Sequence, residues 1–259
     1  MPFTSTLDPV LLHLGPIEIR YYGLVYAFGF LLALVVLQYA RNHKILNLTK
    51  DEIYDFVFYL MVGVVLGARL LHILSALPYY LSHPLSIIAV WEGGMAFYGG
   101  LLGAFVSSYL FCRKKGQNLL LFADILSPLA AVMLGFGRIA NFINGELYGT
   151  VTNVSWCVNF PGVEGCRHPY QLYSSLAFLL IFGILLLLKS VQQRKHYAIG
   201  FLFWTFVLLA SLSRFVIDFW RDGQRLFGLD FAQYISIIVL CCMFLYRKRI
   251  FCKATLRAA

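Results

Sequence analysis

Seven apolar runs, each long enough to cross about 30 Å of hydrocarbon, constrain this chain more than any other feature of its 259 residues. They lie near Tyr21–Ala40, Ile53–Leu77, Met95–Cys112, Leu119–Phe142, Leu172–Leu188, Ile199–Trp220 and Phe231–Tyr246. A soluble domain that is 60% hydrophobic and only 13% charged could not cover its own surface, so composition excludes that class. The expected fold is all-α: a polytopic membrane protein of seven transmembrane helices, one integral membrane domain over residues 1–259. Met1 to Arg20 lacks the basic segment ahead of an apolar core that marks a cleaved signal peptide, so the first run reads as retained. The longest non-membrane stretches are Pro78–Gly94 and Asn144–Tyr170. The second is rich in Gly, Pro and Asn without a helical period. It is expected to form a small outer-face cap, residues 144–170, between helices four and five.

Orientation follows from the placement of Lys and Arg. The loops after runs one, three and five, and the tail after run seven, hold fourteen of the twenty-one basic residues, including every lysine. These segments are expected to be cytoplasmic, with the N-terminus outside and the C-terminus inside. The net charge of +9 therefore reflects topology, and no nucleic-acid partner is expected.

The seven basic residues that remain are all arginines: Arg20, Arg69, Arg138, Arg167, Arg214, Arg221 and Arg225. Runs two, four and six travel outward and each contains one. At 1.5 Å rise per residue, Arg69, Arg138 and Arg214 lie roughly 22–28 Å from the cytoplasmic ends of their helices. Charge within a bilayer costs upward of about 2.5 kcal/mol and is a functional hypothesis by default. The alternative is local: Arg214 and Asp218 are spaced i,i+4 on one face, and Arg69 can snorkel to the interface. Guanidinium is planar, permanently charged and suited to bidentate phosphate contact. Arg138 and Arg214 are accordingly read as a pocket for an anionic phospholipid head group. Arg138 also belongs to a polar stretch, Gly135 to Gly149, reading G-F-G-R-I-A-N-F-I-N-G-E-L-Y-G. Asn141 lies three residues after Arg138 on a shared face, while Asn144-Gly145 doubles as a turn signal.

That stretch resembles the signature of the prolipoprotein diacylglyceryl transferase family, a group of bacterial membrane enzymes. Four more blocks resemble the family in order: Tyr22-Gly23; Trp91-Glu92-Gly93-Gly94-Met95-Ala96-Phe97-Tyr98-Gly99-Gly100; Arg167-His168-Pro169-Tyr170-Gln171-Leu172-Tyr173; and Arg214, Asp218 and Arg221. Asp124 resembles an acid at the start of the fourth span. The resemblance implies phosphatidylglycerol as donor and, as acceptor, the lipobox cysteine of a prolipoprotein signal peptide. The products are a thioether and glycerol phosphate, in the first step of bacterial lipoprotein maturation at the cytoplasmic (inner) membrane. It implies no cofactor, because the donor lipid carries its own leaving group. Carried over to this sequence, it implies Arg138 and Arg214 on the phosphate and Asn141 and Asn144 on phosphate or glycerol oxygens. Glu146 would accept glycerol hydroxyls or orient an arginine, with Tyr22, Asp124, Gly149, Asp218 and Arg221 completing the phosphatidylglycerol site.

Two positions depart from the family. Many members carry histidine where this chain has Tyr98, and a small hydroxyl residue is usual where it has Tyr170. Tyrosine, with a reference pKa of about 10, is a poor general base at neutral pH. Tyr98 is left to orient substrate, and the base is His168, Glu146 or none, since a free thiol is already a few per cent thiolate near pH 7. No group of histidines has metal-ligand spacing, so no metal is expected. Gly135 and Gly137 follow a membrane span and lack a third glycine, which rejects a dinucleotide fingerprint. Cys157 and Cys166 share the cap, where a disulfide and two free thiols are both open. His72 reads as a packing residue, His196 as a boundary residue and Cys252 as an idle thiol near the inner face. Gly63 with Gly67, and Gly99 with Gly103, have the small-xxx-small spacing of closely approaching membrane helices. A transporter using the same arginines would require an internal repeat and midplane charges; the odd span count argues against it.

Overall fold

The computed structural model describes residues 3–14, 17–89, 93–195 and 198–250. The readings of Trp91, Glu92, His196, Cys252, Lys253 and Arg257 fall outside the described residues. The elements are β1 (Phe3–Thr4), β2 (Val10–Leu14), β3 (Ile17–Arg20), α1 (Tyr21–Asn42), α2 (Lys50–Ser75), α3 (Leu77–Ser82), α4 (Phe97–Lys115), α5 (Leu119–Ile143), β4 (Val158–Asn159), α6 (Tyr170–Lys195), α7 (Phe201–Ile217) and α8 (Phe231–Ile250). Each apolar run has become a long helix. Five are long and apolar enough to cross a membrane: α1, α2, α5, Tyr170–Gln192 of α6, and α7 continued to Trp220. α4 closes on Arg113, Lys114 and Lys115, which shortens its apolar length, and the apolar part of α8 is Phe231–Leu245. The architecture is thus helical and polytopic, with two two-stranded sheets that the all-α expectation did not contain.

The chain forms two compact units, one holding residues up to Leu31 and from Ala123 onward, the other Leu32–Phe122. In the second unit, α2 starts on a capping box. Thr49 Oγ1 accepts from the Glu52 amide at 3.2 Å, and Glu52 accepts from the Thr49 amide at 2.8 Å. α2 and α4 then meet backbone to backbone at the glycines singled out by their spacing. A Cβ built on Gly103 would lie 1.9 Å from the Gly63 carbonyl oxygen, and one on Gly67 would lie 2.3 Å from that of Gly99.

Arg69 is 6% exposed and faces backbone carbonyls rather than a head group. Its Nε donates to Ile87 at 3.0 Å, Nη1 to Gly93 at 2.6 Å and Gly94 at 3.1 Å, and Nη2 to Ala89 at 3.3 Å and to Ser86. One guanidinium therefore folds the segment after α3 around itself. Arg69→Ala is expected to lower stability by about 1–3 kcal/mol or more, since buried carbonyls lose their donor. The measurement is the thermal midpoint in detergent; an unchanged midpoint would contradict this role.

In the first unit, Ala131 of α5, Ile181 and Leu185 of α6, and Phe201 and Leu202 of α7 form the buried apolar cluster. Asp124, 4% exposed on α5, accepts from the amides of Gly200 at 2.7 Å and Phe203 at 2.8 Å and from Gln192 at 3.0 Å. It caps the N-terminus of α7 from a neighbouring helix, satisfying amides that the helix itself leaves unpaired. β2 and β3 pair antiparallel, with Leu12 opposite Ile19 and His13 opposite Glu18. β1 pairs in parallel with β4 inside the segment 144–170. That segment is closed by a disulfide between Cys157 and Cys166, whose Cα atoms are 5.6 Å apart.

Candidate active site

The polar end of α5 is shaped by its own termination. The Glu146 amide donates to the Asn141 carbonyl at 3.1 Å, and the Gly145 amide to Phe142 at 3.1 Å. This is the paired bonding of a Schellman motif, and Gly145 takes the required left-handed conformation at φ 67°. The turn folds Glu146 back onto the helix that precedes it. Its Oε1 accepts from Asn141 Nδ2 at 2.8 Å and Asn144 Nδ2 at 3.2 Å, and the Tyr22 hydroxyl lies 3.5 Å from the same Asn141 nitrogen. Four residues expected at the site, Tyr22, Asn141, Asn144 and Glu146, thus form one hydrogen-bonded group. Gln171, fully buried in the first turn of α6, steadies the turn by donating from Nε2 to the Glu146 carbonyl at 2.7 Å. Among the described residues, the buried side-chain acceptors without a partner are Asn144 Oδ1 and Gln171 Oε1.

Arg138 and Arg214 share one cleft. It is narrow and open-sided, and is lined also by Tyr170, Ser174, Ser213 and Ile217 among others. Asp218, 0% exposed, accepts from Arg214 Nε at 3.1 Å and from the Tyr170 hydroxyl. The Arg138 guanidinium carbon sits 6.0 Å from the centroid of the Tyr170 ring. The C-terminal end of α7 is tied down beyond the cleft. Arg221 Nη1 lies 3.6 Å from Asp230, which shares reciprocal amide–side-chain bonds with Gln233 at the start of α8.

Gly149 is required by packing. A Cβ there would fall 2.6 Å from the Trp220 carbonyl oxygen and 2.7 Å from His168. The Gly149 amide donates to the His168 carbonyl at 3.0 Å, and the Thr150 amide to that of Trp220 at 2.9 Å, so the glycine lets three backbone segments converge. The Tyr173 hydroxyl accepts from the Trp156 indole at 2.7 Å, which leaves its own hydrogen for His168 Nδ1 at 3.1 Å. Partial burial pushes the His168 imidazole below its ordinary value.

Asp124, an expected site residue, is not part of this cluster. It lies fourteen residues before Arg138 on α5, about 21 Å along the axis, and is occupied at the start of α7. Tyr98 is the second residue of α4, 45% exposed, in the other compact unit. Sequence reasoning in turn missed what Tyr170 and Gln171 do. Their polar ends meet partners 48 and 25 residues away, which no local pattern reveals.

The family model for prolipoprotein diacylglyceryl transferase matches residues 9–247, from the β2–β3 hairpin to the last turn of α8. The chain belongs to the prolipoprotein diacylglyceryl transferase family. It is 45% identical over 225 residues to a phosphatidylglycerol–prolipoprotein diacylglyceryl transferase of Geobacter sulfurreducens, a match covering 86% of this chain and 85% of the relative. A relative of the same name from Bordetella avium is 40% identical over 240 residues, 89% of either chain. A third, from Aeromonas hydrophila, is 38% identical over 232 residues, covering 88% of this chain and 83% of its own. Every residue of the clustered site lies inside the span that the family match covers.

Proposed function

We propose that the protein transfers the diacylglyceryl group of phosphatidylglycerol to the lipobox cysteine of a prolipoprotein signal peptide. The observation that carries this reading is the convergence of Arg138 and Arg214 on one cleft. In the reaction the cysteine sulfur bonds to the glycerol carbon that bears the phosphate. The carbon–oxygen bond breaks, its electron pair leaves with glycerol phosphate, and the thiol proton passes to a base or to water. Negative charge therefore grows on the departing phosphate. Two guanidinium groups held in place in one cleft stabilise that charge without having to reorganise. The exposed Glu146 carboxylate offers acceptors for the head-group hydroxyls. No cofactor is needed for a donor that brings its own leaving group.

The proposed topology is seven spans in a single membrane domain, N-terminus outside and C-terminus in the cytoplasm of a bacterial inner membrane. Residues 144–170 would form the outer cap. The lysine and arginine distribution supports this orientation, and so does a disulfide in that segment, since such bonds persist in oxidising compartments. The test is to incubate purified protein with phosphatidylglycerol and a lipobox peptide and weigh the peptide. A gain of one diacylglyceryl mass is expected, and an unmodified peptide would defeat the reading. Tyr98→Phe is expected to retain measurable transfer, because a phenol is a weak base and the acceptor thiol ionises partly on its own. Complete loss in a folded, lipid-binding variant would show the hydroxyl to be essential.

A further inference from the structure

We propose that Tyr170 is a positioning residue that sets the spacing of Arg138 and Arg214, so that one phosphate meets both. The inference rests on the phosphate-binding reading above. Tyr170 is 1% exposed and lines the cleft between the two arginines. The face of its ring meets the Arg138 guanidinium at 6.0 Å, within cation–π range. Its hydroxyl donates to Asp218 Oδ1, while Asp218 Oδ2 accepts from Arg214 Nε at 3.1 Å. A single rigid side chain thus touches one arginine and the carboxylate that holds the other.

Such a link answers a specific difficulty. Two cations in a low-dielectric cleft repel each other and, unless held, rotate apart before substrate arrives. The ring offers Arg138 a negative face, and the hydroxyl fixes which Asp218 oxygen is left for Arg214. A small hydroxyl side chain at this position would have no ring to offer and would be too short for both contacts. Gln171 prevents the compensating shift, because its bond to the Glu146 carbonyl fixes the first turn of α6.

The experiment compares full-length Tyr170→Phe, Asp218→Asn and the double variant with wild type in detergent. It reads glycerol phosphate binding by calorimetry and turnover with phosphatidylglycerol and lipobox peptide. Tyr170→Phe is expected to weaken glycerol phosphate binding and lower kcat/KM for phosphatidylglycerol about 10-fold, the scale of one buried hydrogen bond to a charged group. The peptide KM should not change. In the Asp218→Asn background the same change should cost less than about 2-fold, since members of one network are not additive. Equal losses in both backgrounds, or wild-type binding by Tyr170→Phe, would overturn the proposal. If Asp218→Asn does not accumulate, Tyr170→Leu replaces it. Removing ring and hydroxyl together should weaken binding beyond Tyr170→Phe, and equal binding by the two overturns the linkage. Wild-type protein that binds glycerol phosphate without transferring would sink the proposed function alone, because the binding arm does not depend on turnover.

Discussion

Arg138→Ala protein is expected to insert, fold and show no transfer above background. Its guanidinium lines the cleft with Arg214, and among the described residues it lies over the face of the Tyr170 ring. Such a contact is worth about 0.5–2 kcal/mol, and removing a charge from the membrane offsets part of that loss. Folding should therefore survive. The chemistry should not, because deleting one preorganised donor to a developing oxyanion typically costs about 10²–10³ in kcat, and here a full charge goes with it. Arg138→Lys keeps the charge and loses the fork, so it should fall between the two. Peptide mass measures transfer, and size-exclusion behaviour measures folding. A folded, active Arg138→Ala protein would remove this residue from the mechanism.

The second large effect concerns folding rather than chemistry. Gly103→Leu is expected to abolish accumulation of folded protein. A carbon facing a carbonyl oxygen normally stays about 3.3 Å away or more, whereas the Cβ at position 103 would stand 1.9 Å from Gly63 O. Both atoms at fault are fixed to backbone, so no rotamer relieves the clash and α2 must separate from α4. Separation forfeits the close packing on which membrane helix pairs depend. Gly183→Ala is the control. That glycine also lies within a helix, but nothing comes within 4 Å of its added Cβ, so its replacement should be neutral or stabilise the helix by up to about 1 kcal/mol. Yield and thermal midpoint of the two variants in detergent decide the matter, and equal behaviour would refute the steric argument.

The helices were legible because hydrocarbon imposes a length on them, and each apolar run became one. The β2–β3 hairpin was not, because Val10–Leu14 mixes three leucines with a histidine and shows no clean alternation to set it apart from a span's approach. The cost of intramembrane charge alone singles out Arg138 and Arg214 as site candidates. The same cost argument does not say what compensates the charge, and so it could not separate them from Arg69, whose partners are backbone carbonyls invisible in any sequence pattern. Asp124 shows the converse. A lone acid in an apolar helix looks like a ligand until the free amides of another helix's first turn appear beside it.

α7 is fastened at both termini. Asp124 grips its first amides, and Asp218, held by Tyr170, anchors its last turn. A slip of one residue along the axis, about 1.5 Å, would break both attachments at once. α7 therefore cannot act as a piston, which leaves tilting of the lining helices or rotation of the arginine side chains to change the width of the cleft.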